Sequence, residues 1–208
     1  MIDVVIVATN RYVVFLNDLV DSIKRNFLTN HDVRINIFTD RNIDVERMFF
    51  GDYSIRAFYV EHKPFPYPTL YRFHFFERYI NVLDGEYVFY IDADTKVVDK
   101  IGDEILGERV AVQHCGYVNE RGTYETNPKS ACYVPQNEGT TYFGGGFWGF
   151  SNDEFRKFIK QAVLMVSEDA SNGIIPVWHD ESVLARYLID NSPTVVLTPS
   201  YHYPENNF

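Results

Sequence analysis

Two acidic side chains one residue apart, Asp92-Ala93-Asp94, close an apolar run, Tyr87-Val-Phe-Tyr-Ile91. On a strand, residues i and i+2 share a face with Cα atoms about 6.6 Å apart. Two carboxylates brought to about 4 Å would repel by roughly 4 kcal/mol at an effective dielectric of about 20. A cation turns that repulsion into binding. All-oxygen ligands select a hard ion, Mn²⁺ or Mg²⁺, which keeps waters and takes further ligands from a substrate phosphate. The same spacing also suits a solvated strand end with helix-capping aspartates, and spacing alone leaves both readings open.

A second acidic pair lies in Trp178-His179-Asp180-Glu181-Ser182. Asp180 reads as a helix N-cap, and Glu181 at the first helical position would be favoured by the helix dipole by about 0.3 to 1 kcal/mol. Acidic residues at helix starts are ordinary, but the Trp and His beside them also suit a binding wall. The spacing is wrong for a His-Glu-x-x-His zinc site, and His31, His62, His74, His114 and His202 show no ligand spacing. A third stretch, Gly144-Gly145-Gly146-Phe-Trp-Gly149, formally satisfies Gly-x-Gly-x-x-Gly. A dinucleotide site places that pattern after the first strand, so the late position argues against it. Glycines among Tyr142, Phe143, Phe147 and Trp148 instead describe either a tight turn or a wall where backbone approaches a ligand.

These segments need elements to hold them. Asp3 to Ala8 is a β-branched run of the kind that fills a strand covered on both faces. Tyr12 to Leu28 carries apolar residues at helical spacing, and Val33 to Phe38 returns to strand alternation. Strand, helix, strand predicts a βαβ unit and a largely parallel sheet. A further strand is expected near Tyr53 to Val60, a helix over about Thr69 to Val82, and a strand ending at Asp92 to Asp94. Gly116 to Gly139 reads as a long loop, of a length usually functional or mobile. Ser151-x-x-Glu154 is a capping-box pattern opening a helix to about Val166. A last helix begins at Asp180, and a short strand covers Thr194 to Leu197. The fold class expected is α/β with a mixed, mostly parallel sheet.

The chain has 208 residues, 46% hydrophobic and 23% charged, which suits one folded domain of the usual roughly 100 to 200 residues. Its net charge is −10 at pH 7, so neither nucleic acid nor an acidic lipid surface is expected as a main partner. Cys115 and Cys132 read as free thiols of a cytoplasmic protein. No stretch approaches the roughly 20 apolar residues of a membrane anchor.

Taken in order, the motifs resemble glycosyltransferase family 6, which holds the histo-blood-group A and B transferases, the α1,3-galactosyltransferases and compact bacterial relatives. The resemblance runs from about Val4 to Glu205. It rests on Val7-Ala8-Thr9-Asn-Arg-Tyr12, Phe38-Thr-Asp40, Arg72, Asp92-Ala93-Asp94, Ile101-Gly-Asp-Glu-Ile-Leu106 and His114. It continues through Thr123-Tyr-Glu125, Tyr133-Val-Pro135, Glu138-Gly139, Tyr142 to Gly149, Trp178 to Ser182 and Pro199-Ser-Tyr201.

The resemblance implies a single nucleotide-sugar-binding domain of the GT-A type over residues 1–208, with the nucleotide held in about the first 100. It implies that Val7, Ala8, Thr9 and Tyr12 hold the uridine, that Arg72 braces the diphosphate, and that Asp92 and Asp94, with Ala93 between them, hold Mn²⁺ or Mg²⁺. Glu181 matches the catalytic carboxylate. Gly144, Gly145, Gly146 and Asp180 fall with the donor, and His114, Thr123, Trp178 and His179 with the acceptor. The implied reaction moves N-acetylgalactosamine or galactose from its UDP donor to the 3-hydroxyl of a glycan ending in β-galactose, with retention. Retention needs attack from the leaving group's face or two inversions, and Glu181 suits either. Glycines at 144 and 146 favour the N-acetylated donor by leaving room.

Against mammalian members neither anchor nor stem is expected, as in the bacterial relatives, and against many bacterial ones both aspartates are kept. Relatives continue past the position of Phe208 into a basic tail that closes over the diphosphate, which implies weaker donor binding and some hydrolysis here, or a longer native chain. Two other readings remain at this level. One is a sugar-binding module without turnover. The other is a Mg²⁺-dependent phosphatase of the haloacid-dehalogenase type, which Thr95 and Lys96 after the second Asp weaken.

Overall fold

The computed structural model describes residues 1–205, so Phe208 lies outside the described residues. Strand β1 (Ile2–Val7) is buried nearly throughout. Its alternation puts Ile2, Val4 and Ile6 with helix α1 (Leu16–Asn26) on one face, and Val5 and Val7 with the opposite core. β2 (Val33–Thr39) and β3 (Ile55–Tyr59) extend the sheet in parallel on one side, and β4 (Tyr87–Ile91) does so on the other. β5 (Arg109–Gln113), β6 (Phe143–Ser151) and β7 (Val195–Leu197) complete a seven-stranded sheet in the order β3-β2-β1-β4-β6-β5-β7. β6 runs antiparallel to both β4 and β5, and the remaining pairs are parallel. The expected α/β class with a mixed, mostly parallel sheet is therefore what the chain adopts.

Helix α2 (Asn42–Met48) joins α1 on one face through Val45. On the other lie α3 (Tyr67–Leu70), α4 (Arg72–Arg78), α5 (Asn152–Ser171) and α6 (Asp180–Asp190). An aromatic stack ties sheet to helices: the Trp148 ring lies 5.1 Å from Tyr90 and 5.2 Å from Phe158. Each such ring, fully buried, contributes about 1.5 to 3 kcal/mol. Glycine in β6 is a packing requirement, since a Cβ on Gly149 would lie 2.2 Å from the Phe89 ring. No helix among the described residues is long and apolar enough to cross a membrane.

Several local expectations change. β4 stops at Ile91, and Asp92 to Thr95 forms a turn closed by Thr95 N–H to Asp92 C=O at 3.1 Å. The two aspartates therefore sit on a turn beyond the strand end, because Asp92 N–H is still bonded to Gly146 C=O but the chain then bends away. The helix expected over Thr69 to Val82 is split into α3, α4 and a 3₁₀ turn, Ile80–Val82. The glycine run is neither a turn nor a loop but the start of β6. Ser151 precedes α5 without a side-chain cap, and Glu154 bonds Tyr187, Lys157 and Arg109 instead of reaching back. His179, with φ 51°, takes the N-cap place expected of Asp180.

Candidate functional site

In sheets of this kind the carboxyl ends of parallel strands form the ligand crevice. β1 and β4 are parallel neighbours, so Val7 at the end of one, Thr9 just beyond it and Asp92 after the other emerge side by side. β6 is antiparallel, so its beginning, Gly144 to Gly146, arrives at the same edge. A cavity of about 650 Å³ opens there, and the start of α6 closes its far side. It is lined by Val7, Thr9, Tyr12, Arg72, Asp92, Ala93 and Asp94, and across from them by His114, Gly144 to Gly146, Trp178, Asp180 and Glu181. Residues from six separated stretches, the first and last some 170 positions apart in the sequence, thus meet in one place.

Three expected residues do not line it. Ala8 is fully buried. Thr123 stands a step behind the wall, its hydroxyl 3.2 Å from Tyr117, whose ring packs 5.0 Å from His114. His179 turns its ring edge-on to Phe65, 4.9 Å away, and Phe65 is itself part of the lining. The reading of the sequence missed Phe65, His62, Tyr90 and His202, which also line the cavity. His62 is placed by its Nδ1, 3.0 Å from the Thr9 hydroxyl. Tyr90 could have been found from strand alternation, because it stands two places before Asp92 on the same run.

Arg72 is the electrostatic centre. It opens α4, is 6% exposed, and its guanidinium lies over the Tyr90 ring at 4.4 Å. Nη1 is 2.9 Å from Asp180 Oδ2 and 3.6 Å from Asp92 Oδ1. Even so, Nε and Nη1 have no geometrically sound hydrogen bond. Burial works to strip the guanidinium of its charge, but Asp180, Tyr90 and Asp92 outweigh it and hold the group firmly protonated. Burial pushes the Asp180 carboxyl up to about 7 against the pull of Arg72, with the charges of Asp92 and Glu181 adding to the rise. Tyr90 donates its hydroxyl hydrogen to Asp92 Oδ1, and its own ionisation is pushed well up by burial.

Glu181 is fixed by a different contact. Its Oε2 accepts the backbone N–H of Gly145 at 2.8 Å. The α6 start is held by Trp178 N–H donating to the Ser182 hydroxyl at 3.0 Å. His114 Nδ1 accepts from Gly116 N–H at 3.0 Å, which leaves its Nε2 as the ring's N–H donor. Glu125 ties the two expected acceptor segments together: Oε1 accepts from Asn127 N–H and Oε2 from Val177 N–H, each at 2.7 Å.

The charges lining the cavity are four carboxylates, Asp92, Asp94, Asp180 and Glu181, against the guanidiniums of Arg11 and Arg72. Arg72's unsatisfied N–H groups suit an anionic oxygen, and the exposed oxygens of Asp94 with the half-exposed Asp92 suit a hard divalent ion. Among the described residues no three His, Cys, Asp or Glu side chains are gathered as a ready-made metal cage. The donor set therefore fits an ion that completes its shell with substrate phosphate and water.

The chain is similar to known proteins along nearly its whole length. The model of a family described as glycosyltransferase family 6 matches residues 1–207. The chain is 35% identical to histo-blood group ABO system transferase 1 of Rattus norvegicus, over 96% of this chain and 60% of the relative. It is 27% identical to globoside α-1,3-N-acetylgalactosaminyltransferase 1 of Homo sapiens, over 96% of this chain and 60% of that one. The O-antigen biosynthesis glycosyltransferase WbnI of Escherichia coli is 27% identical over 99% of this chain and 88% of its own length. The chain spans about 60% of the length of the mammalian relatives it matches.

Proposed function

The chain belongs to glycosyltransferase family 6, and from that premise we propose that it is a metal-dependent, retaining hexosyltransferase. The donor is a UDP-sugar carrying N-acetylgalactosamine or galactose, and the acceptor is the 3-hydroxyl of a glycan ending in β-galactose. One observation carries the reading: a buried arginine with unspent N–H groups, two turn aspartates and a backbone-anchored glutamate face one another across a single cavity.

Each residue then has a physical task. Arg72, already firmly protonated, binds diphosphate oxygens with the N–H groups that its carboxylate neighbours leave free. Asp92 and Asp94 would hold a divalent ion, Mn²⁺ or Mg²⁺, whose charge would offset that of the diphosphate. Gly145 N–H occupies Oε2 of Glu181, so Oε1 is the oxygen presented to the anomeric carbon. It serves there either as nucleophile or as a fixed charge that stabilises oxocarbenium character. His114 and Trp178 form the acceptor side, with His114 offering Nε2–H to a sugar hydroxyl.

Room for the donor differs between the two glycines. A Cβ on Gly144 would meet only ordinary contacts, 3.6 Å to His114 and 3.9 Å to His202, whereas the space beside Gly146 is already filled. The space for an N-acetyl group therefore lies at Gly144.

A panel of UDP-sugars, each with a β-galactoside acceptor and with or without Mn²⁺, scored for UDP released and for the linkage formed, tests the reading. UDP-N-acetylgalactosamine or UDP-galactose should give acceptor-dependent, Mn²⁺-stimulated release and an α1,3 product. Binding of UDP-sugar with no release under any condition would replace the enzyme with a sugar-binding module.

A further inference from the structure

His202 follows the 3₁₀ turn Pro199–Tyr201 near the end of the described chain, far in sequence from every other residue of the cavity, yet it forms part of the cavity wall. A Cβ built on Gly146 would fall 2.3 Å from Cε1 and 2.4 Å from Nε2 of His202, and 2.7 Å from Oδ2 of Asp92. The imidazole is thus laid directly on the Gly146 backbone, beside the carboxylate of Asp92. Its Nδ1 is also 3.9 Å from the Cβ position of Gly144. The glycines at 144 and 146 are therefore not equivalent. The first leaves open space, and the second makes room for an imidazole supplied from the end of the chain.

Resting on the donor-binding role given above to this cavity, we propose that His202 is a specificity-determining residue. Its ring covers Gly146 and borders the open space at Gly144 where the N-acetyl group would sit, and it limits the size of the substituent accepted there. Backbone alone cannot set that limit, since Gly146 has no side chain. Asp92 faces Arg72 and accepts from Tyr90, on the side of the cavity given to the metal. Among the described residues His202 has no side-chain hydrogen-bond partner, so its ring nitrogens are free to contact the sugar. Its removal would enlarge the cavity at one defined point and leave Arg72, Asp94 and Glu181 where they are.

The test is a direct binding titration of UDP, UDP-galactose and UDP-N-acetylgalactosamine, with Mn²⁺ present, on the wild-type protein and on His202→Ala. The expected result is a shift of the N-acetylgalactosamine-to-galactose affinity ratio by about tenfold toward the larger sugar, the lower end of what one pocket group contributes to discrimination, with UDP affinity little changed. An unchanged ratio overturns the proposal. So does a loss of UDP affinity that both sugars share equally, which would make His202 a diphosphate contact. Binding of neither UDP-sugar to the wild-type protein would refute the donor reading itself, and so is distinguishable. A thermodynamic cycle with Gly146→Ala guards against a misfolded variant. If the two residues share one space, His202→Ala must recover part of the stability that Gly146→Ala loses, and additivity of the two losses overturns the contact on which the proposal stands.

Discussion

The backbone N–H of Gly145 and Oε2 of Glu181, 2.8 Å apart, join the first residues of β6 to the first turn of α6. Two residues 36 positions apart, one on a strand and one on a helix, are thereby locked so that one carboxylate oxygen is spent on structure while the side chain lines the cavity. A main-chain donor cannot rotate away, so the orientation is fixed before any ligand arrives. Glu181→Gln retains the shape and a carbonyl acceptor for Gly145 but removes the charge. Turnover should fall by at least about 10²-fold, the loss typical of removing one preorganised electrostatic group, with UDP affinity little altered. Single-turnover rates beside a UDP titration check this, and undiminished turnover would remove Glu181 from the chemistry.

Arg72 makes the opposite kind of prediction, because structure and function share the same group. Replacing it by methionine leaves the Asp180 carboxyl, 14% exposed, without its partner, a loss of up to about 3 kcal/mol, the lower end for one member of a buried pair. Arg72→Met with Asp180→Asn should recover most of that stability in urea denaturation, since no charge is then left stranded. UDP affinity should stay low in both variants. If the double variant binds UDP as the wild type does, Arg72 is a structural residue only.

Asp92 and Asp94 divide along exposure. Asp92 is tied to Tyr90 and Arg72, whereas Asp94 is exposed on the turn. Asp94→Asn should leave thermal stability within about 0.5 kcal/mol, as for surface substitutions without a partner, while weakening Mn²⁺ binding measured by the ion's paramagnetic signal in the presence of UDP. Asp92→Asn should weaken Mn²⁺ in the same assay and shift stability as well. Mn²⁺ affinity untouched by both substitutions would place the ion elsewhere.

How far the sequence could be read depends on the range of each interaction. β1, α1 and β2 announce themselves because β-branched runs and 3.6-residue periodicity are local, and the order strand, helix, strand leads to a parallel sheet. The acidic motifs were visible too, but the turn at Asp92 was not, since β6 continues alongside to Phe143 and nothing in the apolar run marks where the chain bends away. Gly149 shows why β6 itself was hard to see. Its glycine looks like a breaker until Phe89 is laid 2.2 Å from where its Cβ would be. His202 carried no spacing signal at all, because its neighbour Gly146 lies more than fifty positions away. The missing cap at Ser151 has the same origin, for Glu154 is claimed by Tyr187 from another helix.

That claim on Glu154 has a measurable consequence in acid. The carboxylate is 3% exposed. Burial works to raise its pKa, but hydrogen bonds from Tyr187 at 2.7 Å, Lys157 at 3.1 Å and Arg109 outweigh it and hold the group below its ordinary 4.5. The folded chain therefore binds this proton less readily than the unfolded chain. The stability it contributes is complete above about pH 4.5 and is lost as pH falls through the lower folded value. Glu154→Gln should cost on the order of 2 kcal/mol near neutrality, the range for hydrogen bonds to a charged group. The deficit should shrink as denaturation is repeated at pH values below about 4.5, where the unfolded chain takes up the proton that the folded chain resists. Asp180, whose carboxyl is pushed up to about 7, works in the opposite direction, losing stability as pH rises through that value. Only the difference between wild type and Glu154→Gln, measured at each pH, isolates the one carboxylate. A deficit constant from pH 3 to pH 7 would mean that its charge does not stabilise the fold.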